Sequence, residues 1–277
     1  MLTILTFNLL QLPVLSYADR GLRRIELARQ AVQRLDPDVV VLNEAFSLSP
    51  SGYLVRWLRS HGYDATPQLS SFGAEWTSST GPRVLGRSLL GGGVRVLSRR
   101  GLHERHQLVF SSYHGGTADS LVGKGCLLVR IDGPLWIAAT HLQADQPKTP
   151  VEQTGAVRLE QLAEIRALVR SLVPPADPVL LVGDLNVEHG TEHATAAAAA
   201  VGGMLEPAGR MHEPTFDGTT NPLTGRDFPG YRHVLDYVCC LDEHGSRPVP
   251  RIRTETIRYA AGEEASDHYP VLAEVSF

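Results

Sequence analysis

The stretch Val179-Leu180-Leu181-Val182-Gly183-Asp184-Leu185-Asn186 decides how the rest of this chain is interpreted. Its leading apolar residues predict a strand buried on both faces, and the glycine lets the backbone turn tightly where that strand ends. Asp184 and Asn186 are two positions apart, so a continued strand would place both side chains on the same face. A carboxylate beside an amide can hold a metal or a nucleophilic water. The alternative is an Asx turn that only leads the chain out of the strand.

Polar side chains also follow three other predicted strands and precede a fourth. Carboxylates and amides at strand ends do not help to build a core, so this many in one chain indicate chemistry rather than packing. Each has an ordinary alternative when taken alone: Glu44 as a solvated carboxylate, and His141 as a buried structural histidine. The residues concerned are Asn8 after 2–7, Asn43-Glu44 after 39–42, Thr140-His141 after 136–139, and Ser266-Asp267-His268-Tyr269-Pro270 before the last strand.

Asp236 places a carboxylate inside the apolar segment 234–238, where a charge needs a partner. Orienting a histidine would provide that partner. His268 can transfer protons near neutral pH, and the adjacent Asp267 can bind a metal. Together these residues favour metal-assisted hydrolysis, since the sequence carries no motif for a serine or cysteine nucleophile.

The order of the predicted elements favours two β-sheets packed face to face, with helices on the outer surfaces. Helices are predicted over 19–35, 52–61 and 154–172, where apolar residues recur with the helical period. The middle and the C-terminal half contain consecutive strands without helices, which argues against a simple doubly wound sheet. No linker or repeat divides the chain, so residues 1–277 are expected to form a single domain. The predicted strands are 2–8, 38–44, 93–98, 107–111, 126–131, 135–142, 179–186, 234–241, 251–257 and 270–277.

The composition limits the partners and the location that we expect. A net charge of −4 gives no global reason to expect a nucleic-acid partner. Three cysteines, with Cys239 and Cys240 adjacent, do not make a disulfide framework. No apolar run reaches the length of a membrane-spanning helix. The strand predicted from Leu2 leaves no room for a signal peptide, so we expect a cytoplasmic protein unless a leader has been removed.

In order and type, the strand-end residues resemble the Asn, Glu, His, Gly-Asp-x-Asn and Ser-Asp-His-x-Pro signatures of the endonuclease/exonuclease/phosphatase superfamily. The segments between them resemble its neutral, bacterial-type sphingomyelinase branch, and the resemblance runs from Leu2 to Phe277. The segments that carry it are Leu42-Asn43-Glu44-Ala45-Phe46, Gly92-Gly93-Val94-Arg95-Val96-Leu97-Ser98, Asp119-Ser120-Leu121-Val122-Gly123-Lys124-Gly125, Thr140-His141-Leu142-Gln143-Ala144, Val157-Arg158-Leu159-Glu160-Gln161-Leu162 and Thr215-Phe216-Asp217-Gly218-Thr219-Thr220-Asn221.

This resemblance implies a fold and an activity. The fold would be a four-layer α/β/β/α sandwich, in which two packed mixed β-sheets are flanked by helices. The activity would be that of a Mg²⁺-dependent phosphodiesterase, with Mn²⁺ or Co²⁺ able to substitute. Its substrate would be sphingomyelin or a related choline phospholipid, its product phosphocholine, and its contact with the membrane peripheral. We expect a monomer.

The resemblance also implies a role for each site residue. His268, held by Asp236, would be the general base for in-line attack on phosphorus. His141 would stabilise the charge on phosphorus or protonate the leaving oxygen, with Asp119 holding it. Asp184 and Asn186 would bind and orient water, metal and phosphate. The implied metal ligands are Glu44, Asn8, Asp184, Asn186, Asp267 and His268.

Residues 248–265 differ from the corresponding segment of the bacterial sphingomyelinases. Bacterial sphingomyelinases carry an exposed hairpin near the C-terminus, and aromatic residues at its tip enter the membrane. The matching residues 248–265 are heavily charged here, and Tyr259 is their one aromatic residue. A nuclease, a soluble phosphoesterase or a catalytically inactive binding protein on the same scaffold therefore remain alternatives. Aromatic residues that could face a choline cation, with ordinary packing as the alternative, are Phe46, Trp76, Phe110, Tyr113 and Tyr231.

Overall fold

Two mixed β-sheets form the framework of the fold. The computed structural model describes residues 1–13, 15, 20–71, 75–82, 90–146, 149–203, 213–243 and 245–277. In chain order the strands are β1 (Leu2–Gln11), β2 (Val39–Ala45), β3 (Asp64–Ala65), β4 (Ser78–Thr80), β5 (Arg95–Ser98), β6 (Glu104–Val109), β7 (Gly125–Arg130), β8 (Trp136–His141), β9 (Val179–Asp184), β10 (Phe216–Asp217), β11 (Arg232–His233), β12 (Asp236–Leu241), β13 (Arg251–Thr256) and β14 (Val271–Ser276). The helices are α1 (Gly21–Leu35), α2 (Ser51–Ser60), α3 (Val151–Leu172), α4 (Glu192–Val201) and α5 (Pro222–Asp227), with a 3₁₀ turn at Ala118–Leu121.

Each large sheet has six strands and combines parallel with antiparallel pairs. The first has the spatial order β13-β14-β1-β2-β5-β3, and the second has the order β12-β9-β8-β7-β6-β4. The parallel pairs that matter for the site are β1 with β2 and β8 with β9. Strands β10 and β11 form a separate two-stranded sheet.

The apolar residues of β1 explain the layers, because successive side chains point to opposite faces of a strand. Ile4 belongs to the core between the two sheets, together with Val39 and Val41 of β2. Leu5 and Phe7 belong to a second core beneath α1 and α2. On the far side, α3 contacts β7 and packs against α4. The order is therefore helices, sheet, sheet, helices, and the predicted α/β/β/α sandwich is confirmed.

The ten predicted strands were found with small shifts at their ends, but the sequence interpretation missed helices α4 and α5 and the short strands β3, β4, β10 and β11. The segment 194–200 is alanine-rich, and alanine is the best helix former. The Thr191 hydroxyl caps α4 by accepting a hydrogen bond from the Ala194 amide at 3.2 Å, and Gly202 ends it at φ 100°. Helix α3 begins at Val151, three residues before the predicted start, because Pro150 precedes it. The predicted start of the first helix, at residue 19, lies outside the described residues.

The strand directions bring the predicted site residues to one end of the sandwich, which we call the site end. Strands β1, β2, β8 and β9 finish there, and β12 and β14 begin there, because each is antiparallel to one of these strands. In the second sheet His141, Asp184 and Asp236 are neighbours in one row across three strands. In the first sheet Asn8 is paired with Asn43. The Asn43 amide donates to the Thr140 carbonyl at 2.9 Å, which joins the two sheets at this end.

Candidate active site

Asp184 is the centre of the cluster at the site end. Its Oδ2 accepts a hydrogen bond from Nδ2 of Asn8 at 3.0 Å. The same oxygen lies 3.6 Å from Nε2 of His141 and 3.7 Å from Nε2 of His268. Asp184 is buried, so charges around it interact strongly. One carboxylate therefore brings together an amide and two imidazoles that the sequence separates by more than a hundred residues.

His268 is held on the opposite side of its ring. Its Nδ1 lies 2.8 Å from Oδ2 of Asp236, a contact that an orienting role for Asp236 requires. Phe216 forms a β-bridge with His268 and packs against its ring, with centroids 4.7 Å apart. Burial opposes protonation of His268, but the attraction of Asp236 and Asp184 outweighs it and holds the pKa well above its ordinary value. Nε2 is thus the nitrogen left to face a substrate.

His141 lies on the other side of Asp184 and has a different charge state. Burial and the nearby Lys124 ammonium lower the pKa of His141 to about 3. Among the described residues its Nδ1 has no hydrogen-bond partner. His141 is therefore neutral at physiological pH, and a neutral imidazole offers one N–H donor. The surroundings of the two histidines therefore favour protonation of His268 and keep His141 neutral.

Asp119, expected to hold His141, has other hydrogen-bond partners in this structure. Oδ2 of Asp119 accepts hydrogen bonds from Nζ of Lys124 at 2.8 Å, from the Gln143 amide at 2.9 Å and from the Ala144 amide nitrogen at 2.8 Å. Nζ of Lys124 also donates to the Leu142 carbonyl at 2.7 Å. Asp119 therefore fixes Lys124 and the segment that follows His141, and it does not contact the imidazole through these hydrogen bonds.

Glu44 is the residue best suited to a cation. Its Oε1 accepts from Nδ2 of Asn8 at 3.3 Å, whereas its Oε2 is shielded from solvent and has no partner among the described residues. Burial, together with the negative charge of Asp267, raises the pKa of Glu44 to about 7. An unpartnered carboxylate oxygen beside a second carboxylate lacks a positive charge, and a hard divalent cation would supply it. The donor set fits such an ion.

The backbone is strained at two of the predicted site residues, Glu44 and Asn186. Glu44 and Asn186 both have φ 50°, a left-handed conformation that non-glycine residues seldom adopt. The strand predicted through Asn186 ends at Asp184 instead, and the Asn186 amide nitrogen donates to Oδ1 of Asp184 at 3.0 Å. The turn that we considered as the alternative to a site is therefore present, and it orients Asp184. The Asn186 side chain donates to the Leu142 carbonyl at 3.2 Å.

The residues with ligand atoms nearest to one another are Asp184, Asp236 and His268, whose atoms lie within 4.8 Å. This group overlaps the predicted metal ligands in Asp184 and His268, but it contains Asp236 in place of Glu44. Oδ2 of Asp236 is bonded to the His268 ring, whereas its Oδ1, like Oε2 of Glu44, has no hydrogen-bond partner among the described residues. Asp267 is half-buried, and its Oδ1 accepts from the Ser266 hydroxyl at 3.1 Å.

The aromatic residues beside the site were only partly anticipated. Phe46, Trp76 and Phe110 are buried, and Tyr113 is exposed. Tyr231 lies 5.7 Å from Phe216, the ring that packs on His268. Phe228, which the sequence interpretation missed, lies 5.3 Å from Phe216 and is 47% exposed. No periodic signal marks it, because it follows the short helix α5.

The segment that departs from the sphingomyelinase pattern folds back onto the molecule. Strand β13 pairs with β14 at the edge of the first sheet. The Tyr259 hydroxyl, in the connection that follows β13, donates to the His268 carbonyl at 2.7 Å, and its ring lies 5.1 Å from that of Tyr269. The one aromatic residue of this segment therefore supports the backbone of His268 instead of reaching outward.

The paired sheets and the histidine–carboxylate centre at their edge define an α/β-sandwich hydrolase. The family model described as "Endonuclease/Exonuclease/phosphatase family" matches residues 5–268. The chain belongs to this family, and the predicted superfamily is confirmed.

Known relatives support a closer placement. Sphingomyelinase C of Listeria ivanovii is 31% identical over 270 residues, covering 91% of this chain and 79% of the relative. Sphingomyelinase C of Bacillus cereus is 28% identical, covering 99% of this chain and 89% of the relative. A solved mutant of the beta toxin of Staphylococcus aureus, with bound magnesium ions, has a TM-score of 0.86 and 26% identity, with 98% of each chain covered.

Proposed function

We propose that this protein is a Mg²⁺-dependent phosphodiesterase that hydrolyses sphingomyelin or a related choline phospholipid and releases phosphocholine. The observation that carries the proposal is the arrangement around Asp184. Two imidazole Nε2 atoms lie at 3.6 and 3.7 Å from one buried carboxylate oxygen, and the Asn8 amide that binds this oxygen also binds Glu44. Acid–base groups and a cation site therefore share one hydrogen-bonded cluster.

His268 is the proposed general base. Asp236 engages its Nδ1, so Nε2 is the atom that would take a proton from a water that attacks phosphorus. The nearby carboxylates favour the protonated ring, and a cation held by Glu44 would offset their charge and leave Nε2 unprotonated before the attack. The imidazolium that results is stabilised by Asp236 and Asp184. The water is placed by Asp184, whose own orientation is fixed by Asn8 and by the Asn186 amide nitrogen.

His141 is the proposed donor to the phosphoryl group. Because burial and Lys124 lower its pKa to about 3, it is a poor proton reservoir at physiological pH. A neutral imidazole can still donate a hydrogen bond to a phosphoryl oxygen as negative charge develops there. Of the two roles implied for His141, the electrostatic one is favoured over protonation of the leaving oxygen.

Glu44 is the proposed principal ligand of the cation, with Asn8, Asp184, Asn186 and Asp267 in the wider set. His268 was also implied as a ligand, but with Nδ1 engaged by Asp236 its Nε2 is kept for the proton. Oxygen-rich sites of this kind suit Mg²⁺, and Mn²⁺ is an expected substitute. When bound, the cation neutralises charge on the phosphoryl oxygens. Proteins similar to this one are named sphingomyelinase C, and one was solved with magnesium.

The aromatic rings beside His268 support a choline head group. Phe216 packs on His268, and Phe228 and Tyr231 extend this aromatic surface, with centroids 6.1 Å apart. A quaternary ammonium ion is attracted to the faces of such rings. Since phosphorus and the ammonium group are close together in phosphocholine, one molecule could contact both the imidazole and the rings. We also propose that the chain forms one catalytic domain and acts as a monomer.

The test is a hydrolysis panel in Mg²⁺, comprising sphingomyelin, phosphatidylcholine, lysolipids and plasmid DNA, with the released head group identified. We expect phosphocholine from at least one choline lipid, no nicking of DNA, and no turnover in EDTA. Cleavage of DNA without release of phosphocholine would replace this proposal with a nuclease. A Phe228→Ala variant should raise KM for choline lipids more than it lowers kcat.

A further inference from the structure

The exposed large apolar side chains are concentrated at the site end. Among the described residues, nine of the twelve lie in loops or first helical turns at this end. The other three are Met1, Val249 and Phe277, at the opposite end, and two of these are terminal residues. We call the nine the apolar rim. They are Leu12, Leu15, Leu22, Leu48, Tyr53, Tyr113, Leu121, Val151 and Phe228.

The strand directions explain why separate parts of the chain contribute to one rim. Leu12 and Leu15 follow β1, and Leu48 follows β2, so all three leave the sheet where Asn8 and Glu44 lie. Leu121 lies between β6 and β7. Strand β6 points in the same direction as β8, since each is antiparallel to β7. The rim residues therefore lie at the end of the sandwich that carries Asp184 rather than on a remote face.

Leu48 shows that this exposure is not incidental. Its side chain is 63% exposed, and its backbone has φ 59°, where a leucine is sterically disfavoured. Glycine or asparagine would adopt this conformation more easily. A strained backbone that presents an apolar side chain to solvent is typical of a functional contact.

The charges indicate what kind of surface would accept the rim. The sequence has 30 acidic and 26 basic residues, and Lys124 is buried against Asp119. The net charge is −4, so the protein as a whole is repelled by an anionic surface. A zwitterionic bilayer imposes no such repulsion and offers an apolar boundary for the leucine side chains.

We propose that the apolar rim docks this protein on a zwitterionic phospholipid surface and brings lipid head groups to Asp184. The inference rests on the proposed function, because a choline lipid is presented at such a surface. Tyr259, the one aromatic residue of 248–265, is turned inward against His268 and is not part of this surface. Among the described residues, no helix is long and apolar enough to span a membrane.

Vesicle flotation tests the docking directly. Pure phosphatidylcholine vesicles are mixed in EDTA, which prevents turnover, with the wild type, with Leu48→Asn/Leu121→Gln, and with the matched opposite-end variant Val249→Asn/Phe277→Gln. Each leucine that inserts contributes a factor of about ten to partitioning, so the rim variant should bind about a hundredfold more weakly. The opposite-end variant should bind like the wild type. Anionic lipid should not strengthen binding.

A soluble choline phosphodiester, p-nitrophenyl phosphorylcholine in Mg²⁺, separates docking from chemistry. Both variants should hydrolyse it at the wild-type rate, which also shows that they fold. If the wild type does not hydrolyse p-nitrophenyl phosphorylcholine, the proposed function fails. Flotation would still test whether the apolar rim binds vesicles. The docking proposal is overturned if the rim variant floats like the wild type, or if both variants lose binding equally. It is also overturned if light scattering shows that the rim joins two copies and vesicles bind neither form.

Discussion

The site end and the opposite end of the β-sandwich differ in how their charged and polar side chains are partnered. At the opposite end, short turns carry polar contacts near the surface, such as the ion pair of Arg100 Nε with Asp38 at 2.9 Å and the contact of His103 Nε2 with Asp132 Oδ1 at 2.6 Å. At the site end, buried polar atoms of Glu44, His141 and Asp236 have no hydrogen-bond partner among the described residues. At the opposite end Oε1 of Glu243 and Nε of Arg247 also have no partner among the described residues, but these two side chains are paired with each other at 3.5 Å. The site end instead holds unpartnered atoms of Glu44, His141 and Asp236 ready for a ligand.

This difference shows that destabilising features of the fold are accommodated at the ends of the strands. Unpaired buried polar atoms cost free energy, and so do left-handed backbones at Glu44 and Asn186. The cores on both faces of the first sheet offset this cost, because residues such as Leu42 and Val41 are fully buried. A site under strain can therefore be attached to the ends of strands whose middles are well packed.

The largest expected difference between the two ends concerns histidine. His268→Ala should lower kcat for sphingomyelin by about a thousandfold, since it removes the general base. His103→Ala, at the opposite end, should leave kcat within about twofold of the wild type, because an exposed pair contributes little. Steady-state kinetics with phosphocholine detection measures both. Equal losses in the two variants would contradict the comparison.

The next effect is on stability in the absence of metal. Glu44 has a pKa raised from 4.5 to about 7, so the folded state holds a proton that the unfolded state releases between these values. Stability should therefore fall as pH rises from about 4.5 to about 7, by up to about 3 kcal/mol. Glu44→Gln cannot ionise and should escape this loss.

Thermal unfolding in EDTA at about pH 5 and about pH 8 measures the effect of Glu44. The wild type and Glu44→Gln should melt at similar temperatures in acid, and the variant should melt higher at the alkaline pH. Asp132→Asn serves as the control, since its carboxylate is exposed at the opposite end. If the wild type is more stable than Glu44→Gln at about pH 8, the buried Glu44 carboxylate does not destabilise the folded state, and the prediction is wrong.

A smaller effect is expected at Tyr259. The Tyr259→Phe variant loses the hydrogen bond to the His268 carbonyl, which should cost about 1 kcal/mol of stability. Activity should fall less than about tenfold, because the imidazole itself is still held by Asp236. A loss as large as that of His268→Ala would mean that Tyr259 acts in the chemistry itself.

The smallest effect belongs to the opposite end. Removing the exposed Arg100 guanidinium with Arg100→Ala should lower the free energy of unfolding by less than about 1 kcal/mol and leave activity unchanged. Denaturant unfolding measures it. A larger loss would show that the ion pairs of this end are needed to hold the sheets in register.

The sequence predicted the centre of the site better than its surroundings. Asn8, Asp184 and His268 could be grouped because each follows or precedes an apolar strand, and the ends of parallel strands meet at one edge. The partner of Asp119 could not be predicted, since Lys124 and Gln143 compete for it through contacts that no periodicity encodes. Helix α4 was missed because its alanine run resembles a bias of composition, although Thr191 caps it.

A calorimetric titration with Mg²⁺ tests most directly whether the site end is built for a divalent cation. The wild type and Asp132→Asn should bind Mg²⁺ with the same affinity. Glu44→Gln should lose most of the binding heat while still unfolding cooperatively on heating, because its amide replaces a carboxylate oxygen that has no partner among the described residues. Equal binding by all three proteins, or binding by none of them, would contradict the assignment of Glu44 and the metal-dependent centre around Asp184.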